Sequence, residues 1–187
     1  GSSGMWTVFW PAQILSGAEG LAQLPAAIEL RLAHLFRHNP DAFASSGRFL
    51  KLPKRLIGEV VHLLESYDLC VDDTLPQVDA MRIRATFTLD VLKQAEILAQ
   101  GAGDYERAGA IKEFVRRITL PPFVGAPLSV KDLPINGRWI QVEFKLKPSP
   151  QIGVLLTHCL ERVWAYPERC TVDGCRAMIE AIVEPDH

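Results

Sequence analysis

Two kinds of side chain in this 187-residue sequence could do chemistry. The first is a donor set: His34, His38 and Asp41 fall within one stretch, LAHLFRHNPD, and imidazole with carboxylate can hold a divalent ion that activates water. The same residues have a plainer reading, because a histidine at a helix C-terminus is favoured by the helix dipole, and no further ligand cluster accompanies them. Asp72-Asp73 is a carboxylate pair that reads as a solvated loop. The four cysteines, Cys70, Cys159, Cys170 and Cys175, lack the paired CxxC spacing of a zinc site and are too sparse for a disulfide scaffold. They are expected to be small buried hydrophobes and not metal ligands. No Walker loop, dinucleotide fingerprint or Ser/His/Asp constellation is present.

The second kind is cationic. Lys145 and Lys147 precede Pro148-Ser149-Pro150-Gln151-Ile152, where a turn feeds a helix. The open N–H groups of a helix start beside two lysines suit an anion or an RNA phosphate. A solvated helix face accounts for the same charges without a ligand.

The elements that must position these residues are helical. Apolar residues recur at helical spacing almost throughout, and period-two β-branched runs are scarce, so the expected class is all-α, a bundle-like body with a smaller helical tail. One helix is expected over Leu24 to His38, with Ile28, Leu32, Leu35 and Phe36 inward and Pro25 in its first turn. A second opens at Pro53 with Leu56, Val60, Leu63 and Leu64 inward. Gln77 to Ala102 reads as two helices broken near Thr86-Phe87-Thr88, where β-branched residues lower propensity. Asp104 is a suitable N-cap for a helix through Arg117, whose outer face would carry Arg107, Lys112, Arg116 and Arg117. Residues 119 to 136 contain Pro121, Pro122, Pro127 and Pro134 without helical periodicity, a linker or extended loop. Helices are then expected over Arg138 to Phe144, Gln151 to Ala165 and Thr171 to Val183, with Gly174 a mild defect in the last. The implied domains are a body over 5–118, a Pro-rich linker over 119–130 and a tail over 131–187. Residues 1–4, GSSG, read as an expression scar.

Composition narrows the classes. The chain is 48% hydrophobic and 22% charged with net charge −2, a globular makeup that excludes indiscriminate coating of nucleic acid. No apolar run is long enough to span a membrane and no signal peptide is present, so no membrane partner and a cytoplasmic location are expected. Charge is segregated: residues 31–62 hold six basic and two acidic groups, 63–104 three and eight, and 105–147 eight and four. The second basic block runs into the turn at Lys145 and Lys147, where a phosphate backbone could lie.

The segment LPINGRWIQVEFKLKPSPQIGVLLTHCLERVW, Leu133 to Trp164, carries a tight turn at Asn136-Gly137 and the helix start at Pro148 to Gly153. It resembles the C-terminal part of class II tRNA nucleotidyltransferases, the CCA-adding enzymes, and the related bacterial poly(A) polymerases. Their pattern is a glycine turn N/T-G-x-D-L followed by P-G-P-x-I-G-x-L-L. Trp139 stands here in place of the aspartate and Ser149 in place of a glycine. A fainter likeness to the helical body of that family lies in ELRLAHLF from Glu29 and FLKLPKRLIGEVVHLLE from Phe49. VDAMRIRATFTLDVL from Val78 superficially resembles the RRDFTINAL segment of the family's catalytic head, but it follows the body match, within helical sequence, and no metal-binding carboxylate pair precedes it.

The resemblance implies a tRNA-binding body and tail, with nucleotidyl transfer performed by a separate catalytic head whose Gly-Ser turn and Asp-x-Asp pair are not visible in this sequence. Any Mg²⁺ would belong to that head; no cofactor is expected in this chain. Partners would be tRNA and a head domain or subunit. The expected RNA contacts are Arg116, Arg117, Lys131, Asn136, Gly137, Arg138, Lys145, Lys147, Ser149 and Gln151, with the arginines of 116–117 near the lysine turn. Two rivals remain: a helical protein-interaction module anchored by Trp6, Phe9 and Trp10, and a phosphohydrolase of HD type using His34, His38 and Asp41.

Overall fold

The computed structural model describes residues 20–69, 71 and 74–183. The fold of these residues is all-α, with no strand. Its helices are α1 (Ile28–Phe36), α2 (Pro40–Phe49), α3 (Lys54–Tyr67), α4 (Gln77–Thr86), α5 (Leu89–Gly101), α6 (Tyr105–Ile118), α7 (Gly137–Glu143), α8 (Pro150–Ala165) and α9 (Val172–Val183). Among the described residues no helix is long and apolar enough to cross a membrane. Trp6, Phe9, Trp10, Cys70, Asp72, Asp73 and the GSSG stretch lie outside them.

Contacts group the chain into two compact units, Gly1–Asp73 with Thr88–Val115, and Thr74–Phe87 with Arg116–His187. The boundary therefore does not follow the prolines. Helix α4 packs on α8, which puts it with the C-terminal helices although the body over 5–118 would contain it.

In the first unit α3 lies against α1, α2 and α5. Val60, Leu63 and Leu64 are buried as their spacing predicts, and meet a core that includes Leu92 and Leu98 of α5. Each such leucine contributes about 1.5 to 3 kcal/mol by leaving water. Helix α1 differs from expectation: it spans Ile28–Phe36, and its buried residues are Leu30, Ala33, His34 and Phe36, while Ile28 is 55% exposed. Apolar residues lie on nearly every side of this helix, so periodicity leaves its inward face open and packing against α3 and α5 selects it. Helix α2 is an element that the sequence reading lacks. Asn39-Pro40 ends one helix and starts the next: the Asn39 side chain accepts from the Ala42 N–H at 3.0 Å and Pro40 takes the first turn. Its buried residues, Phe43 and Gly47, form too thin a stripe to register as periodicity.

Asp104 caps α6 as expected, its Oδ1 accepting from the Arg107 N–H at 3.1 Å. Arg107 itself is no solvated outer-face residue. Its Nη1 donates to the Tyr67 carbonyl at 2.7 Å, its guanidinium lies 4.6 Å from the Tyr67 ring centroid, and it pairs with Asp104 at 3.1 Å. These contacts fasten the start of α6 to the end of α3, and burial pushes the Tyr67 phenol above its ordinary pKa.

In the second unit α8 is central, packed by α4, α7, α9 and the turn Val130–Asp132. Ile152, Leu155, Cys159, Leu160, Val163 and Trp164 are buried along it, more than one stripe, as befits a helix covered on several sides. Its C-terminal end is tied down by polar bonds: Trp164 Nε1 donates to the Pro127 carbonyl and Gln77 Nε2 donates to the Trp164 carbonyl, each at 2.7 Å. The break predicted at Thr86-Phe87-Thr88 is present, with Phe87 extended and Thr88 capping α5. Residues 119–136 run as turns that bury Phe123, Pro127, Leu133 and Ile135, so this segment is packed chain, not a free tether. Gly174 is no defect: a Cβ there would collide with the Arg169 carbonyl, a contact only glycine permits.

Candidate nucleic-acid interface

Two helix starts are docked on each other at one end of the second unit. Asn136 is extended and its side chain accepts from the Trp139 N–H at 2.9 Å, capping α7. The turn thus closes on the backbone of Trp139, the position where the resembling family has aspartate. Gly137 follows, and a Cβ there would lie 3.1 Å from Ile152 Cγ2, so the start of α7 sits directly on the first turn of α8. This contact brings Asn136, Gly137 and Arg138 beside Ser149, Gln151 and Ile152.

Helix α7 ends by a left-handed cap. The Leu146 N–H donates back to the Gln141 carbonyl at 3.1 Å, and Lys145 between them adopts φ 52°, the conformation usually given to glycine. A non-glycine residue there costs about 1 to 2 kcal/mol, a strain that no local pattern around Lys145 signals. Lys147 follows, then Ser149, whose φ of −157° is extended backbone that serine adopts as readily as glycine. Its hydroxyl makes no capping bond, Pro150 has no N–H, and the Ile152 N–H donates to the Ser149 carbonyl at 3.2 Å, so the first turn of α8 offers few open donors and an anion there would be held mainly by the lysines.

Arg138, Lys145 and Lys147 are exposed, and among the described residues none is in an ion pair. The first basic block is more committed: Arg55 pairs with Glu59 at 3.1 Å, while Arg31 and Arg48 donate to the Pro25 and Ala44 carbonyls. Lys131 is exposed on a turn that packs on α8. Bonds from the Ser129 hydroxyl and N–H and from the Leu128 N–H hold Asp132 in that turn and keep its carboxyl below the usual carboxylate range, the Ser129 hydroxyl contributing most.

Arg116 and Arg117 lie elsewhere. Arg117 Nη2 donates to the Leu75 carbonyl at 2.8 Å and its guanidinium lies 5.5 Å from the Phe123 ring centroid. Leu75 is two residues from Gln77, which bonds the Trp164 carbonyl at the C-terminal end of α8. From Gln151 to Trp164 an α-helix rises about 20 Å. The residues singled out in the sequence therefore divide between the two ends of α8, and Arg117 is engaged in packing its own unit.

The donor sets are dispersed. His34 is fully buried in the first unit while His38 and Asp41 are exposed, and among the described residues no three His, Cys, Asp or Glu side chains are grouped to hold a metal. Cys159 and Cys175 are buried, Cys170 half-buried. Burial pushes the Cys159 thiol up to about 12, so it is no nucleophile near neutral pH.

Residues 26–165 match the family described as tRNA nucleotidyltransferase domain 2. The chain belongs to this family. No curated protein and no solved structure matches it. The part matched to tRNA nucleotidyltransferase domain 2 runs from just before α1 to the last residue of α8, so it contains both docked helix starts in full, while α9 lies beyond it.

Proposed function

We propose that this member of the tRNA nucleotidyltransferase domain 2 family grips tRNA by its phosphate backbone and, in the cytoplasm, holds the 3′ end for CCA or poly(A) addition. The transfer itself, with any Mg²⁺ it needs, belongs to a catalytic centre on another segment or subunit. One observation carries the reading: Arg138 in the first turn of α7, Lys145 in the cap that ends it and Lys147 in the turn leading to α8 are exposed and, among the described residues, in no ion pair, on a segment held by the contact of Gly137 with Ile152. Fixed cations spaced along a surface recognise shape and phosphate, not base identity. Positioning by such contacts also contributes to catalysis held elsewhere, because it replaces a bimolecular search by a held geometry.

A titration of labelled tRNA with the whole chain at several salt concentrations tests this. Affinity is expected to fall linearly on a log–log plot as salt rises, with a slope set by the number of phosphates engaged. Affinity independent of salt, or no binding at low salt, refutes the reading.

A further inference from the structure

At the other end of α8 a second feature is cationic and aromatic at once. Helices α8 and α9 and the turn between them frame a pocket of about 250 Å³. His158 and Arg162 of α8, Tyr166 and Arg169 of the turn, and Met178 and Ile182 of α9 line it, with no carboxylate among its lining residues. Arg162 Nε donates to His158 Nε2 at 3.4 Å, which orients the guanidinium while leaving its other N–H groups for an anion. The Arg169 guanidinium lies 5.3 Å from the Tyr166 ring centroid. Tyr166 is 46% exposed and Ile182 41%, apolar area left open beside two cations that among the described residues pair with no carboxylate.

An inorganic anion would need the arginines but not the ring or the apolar wall, and an apolar ligand would need the wall but not the arginines. A nucleotide uses both. The volume lies just under the range of about 300 to 1,000 Å³ of small-molecule sites, room for one ring system and not for a whole dinucleotide. Unstacked bases of RNA are commonly held on aromatic faces and guanidinium planes.

We propose that this pocket takes one unstacked base of the bound RNA. The base lies against Tyr166 and the Met178 and Ile182 wall, and its flanking phosphate lies on Arg162 and Arg169. The inference rests on the RNA-binding reading above and adds to it a contact that recognises a base. Arg169, Met178 and Ile182 follow residue 165, so most of the pocket falls outside the part matched to the family.

The test uses the full chain with three probes: labelled tRNA, a short single-stranded RNA, and inorganic polyphosphate, which carries charge without bases. Tyr166→Ala is expected to weaken both RNAs by between about fivefold and about a hundredfold, to leave polyphosphate binding unchanged, and to leave the salt slope of tRNA binding unchanged. Tyr166→Phe should bind like the parent, because it keeps the ring. A melting curve guards against misfolding of Tyr166→Ala, and the partly exposed ring predicts parental melting. If Tyr166→Ala binds RNA like the parent while Lys147→Ala binds more weakly, the pocket proposal falls and the interface reading stands. If Tyr166→Ala weakens polyphosphate as much as RNA, the pocket holds an anion and not a base. If the parent chain binds no tRNA at all, both readings fall together.

Discussion

Replacing Lys145 by glycine should move stability and RNA affinity in opposite directions. Lys145 occupies the left-handed cap position of α7 with φ 52°, held there by the bond from the Leu146 N–H to the Gln141 carbonyl. A Cβ in that region costs about 1 to 2 kcal/mol, which glycine does not suffer. Glycine also gains freedom in the unfolded chain, which offsets about 0.4 to 1 kcal/mol of that relief. Lys145→Gly should therefore stabilise by about 0.5 to 1 kcal/mol and, in a chain of this size, raise the melting temperature by about 1 to 4 °C. The same substitution removes an exposed cation from the interface, so the salt slope of tRNA binding should fall by about 0.7 to 0.9. Lys145→Ala separates the two effects: it loses the charge and keeps the strained backbone, so the slope should fall equally while melting stays near the parent. Scanning fluorimetry and a salt series of tRNA titrations read both quantities on one preparation. If Lys145→Gly melts at or below the parental temperature, the backbone argument is wrong; if it stabilises but binds tRNA with an unchanged slope, Lys145 is no phosphate contact.

Further substitutions probe the rest of the interface and the core beneath it. Asn136→Ala should destabilise by about 1 kcal/mol through loss of the cap bond to the Trp139 N–H, whereas Asn136→Asp keeps an acceptor and should melt like the parent while binding tRNA more weakly; equal melting for Ala and parent would deny the cap. Arg138→Ala and Lys147→Ala should each weaken tRNA binding and lower the salt slope by about one with melting changed by little, and unchanged affinity in both would move the interface to the first basic block, at Lys51 and Lys54. Ile152→Asp should destabilise the second unit by several kcal/mol, because Ile152 is only 6% exposed under Gly137, and a parental melting curve would mean that the two helix starts are not docked. The Cys159 thiol, raised from 9.0 to about 12, ionises more readily in the unfolded chain, so it contributes stability that is full below pH 9.0 and lost as pH rises towards about 12. Cys159→Ala should flatten that alkaline loss in urea melts; an unchanged pH profile would show that Cys159 is not its source.

The sequence by itself determined the class, most of the helices and where the second basic turn lies. Those readings rest on local rules that this chain obeys. Val60, Leu63 and Leu64 repeat at helical spacing; Asp104 and Asn136 are caps by side-chain chemistry; and Asn136-Gly137 and Pro148 to Gly153 mark turns whose meaning needs no distant partner. Only the tertiary structure decided the rest. Which face of α1 turns inward depends on α3 and α5, because Ile28 and Leu30 are equally apolar and packing alone separates them. Arg107 and Arg117 read as outer-face cations until the Tyr67 carbonyl and the Leu75 carbonyl, 40 and 42 residues away along the chain, are brought to their guanidinium groups. Helix α4 joins α8 across 87 residues through the bond from Gln77 to the Trp164 carbonyl, a pairing no linker composition foretells. Spacing along a chain reports a residue's own helix face, but separation in space is set by how helices stack. That is why spacing could group Arg117 with the lysine turn as expected contacts, while the length of α8 that separates them could not be read from it.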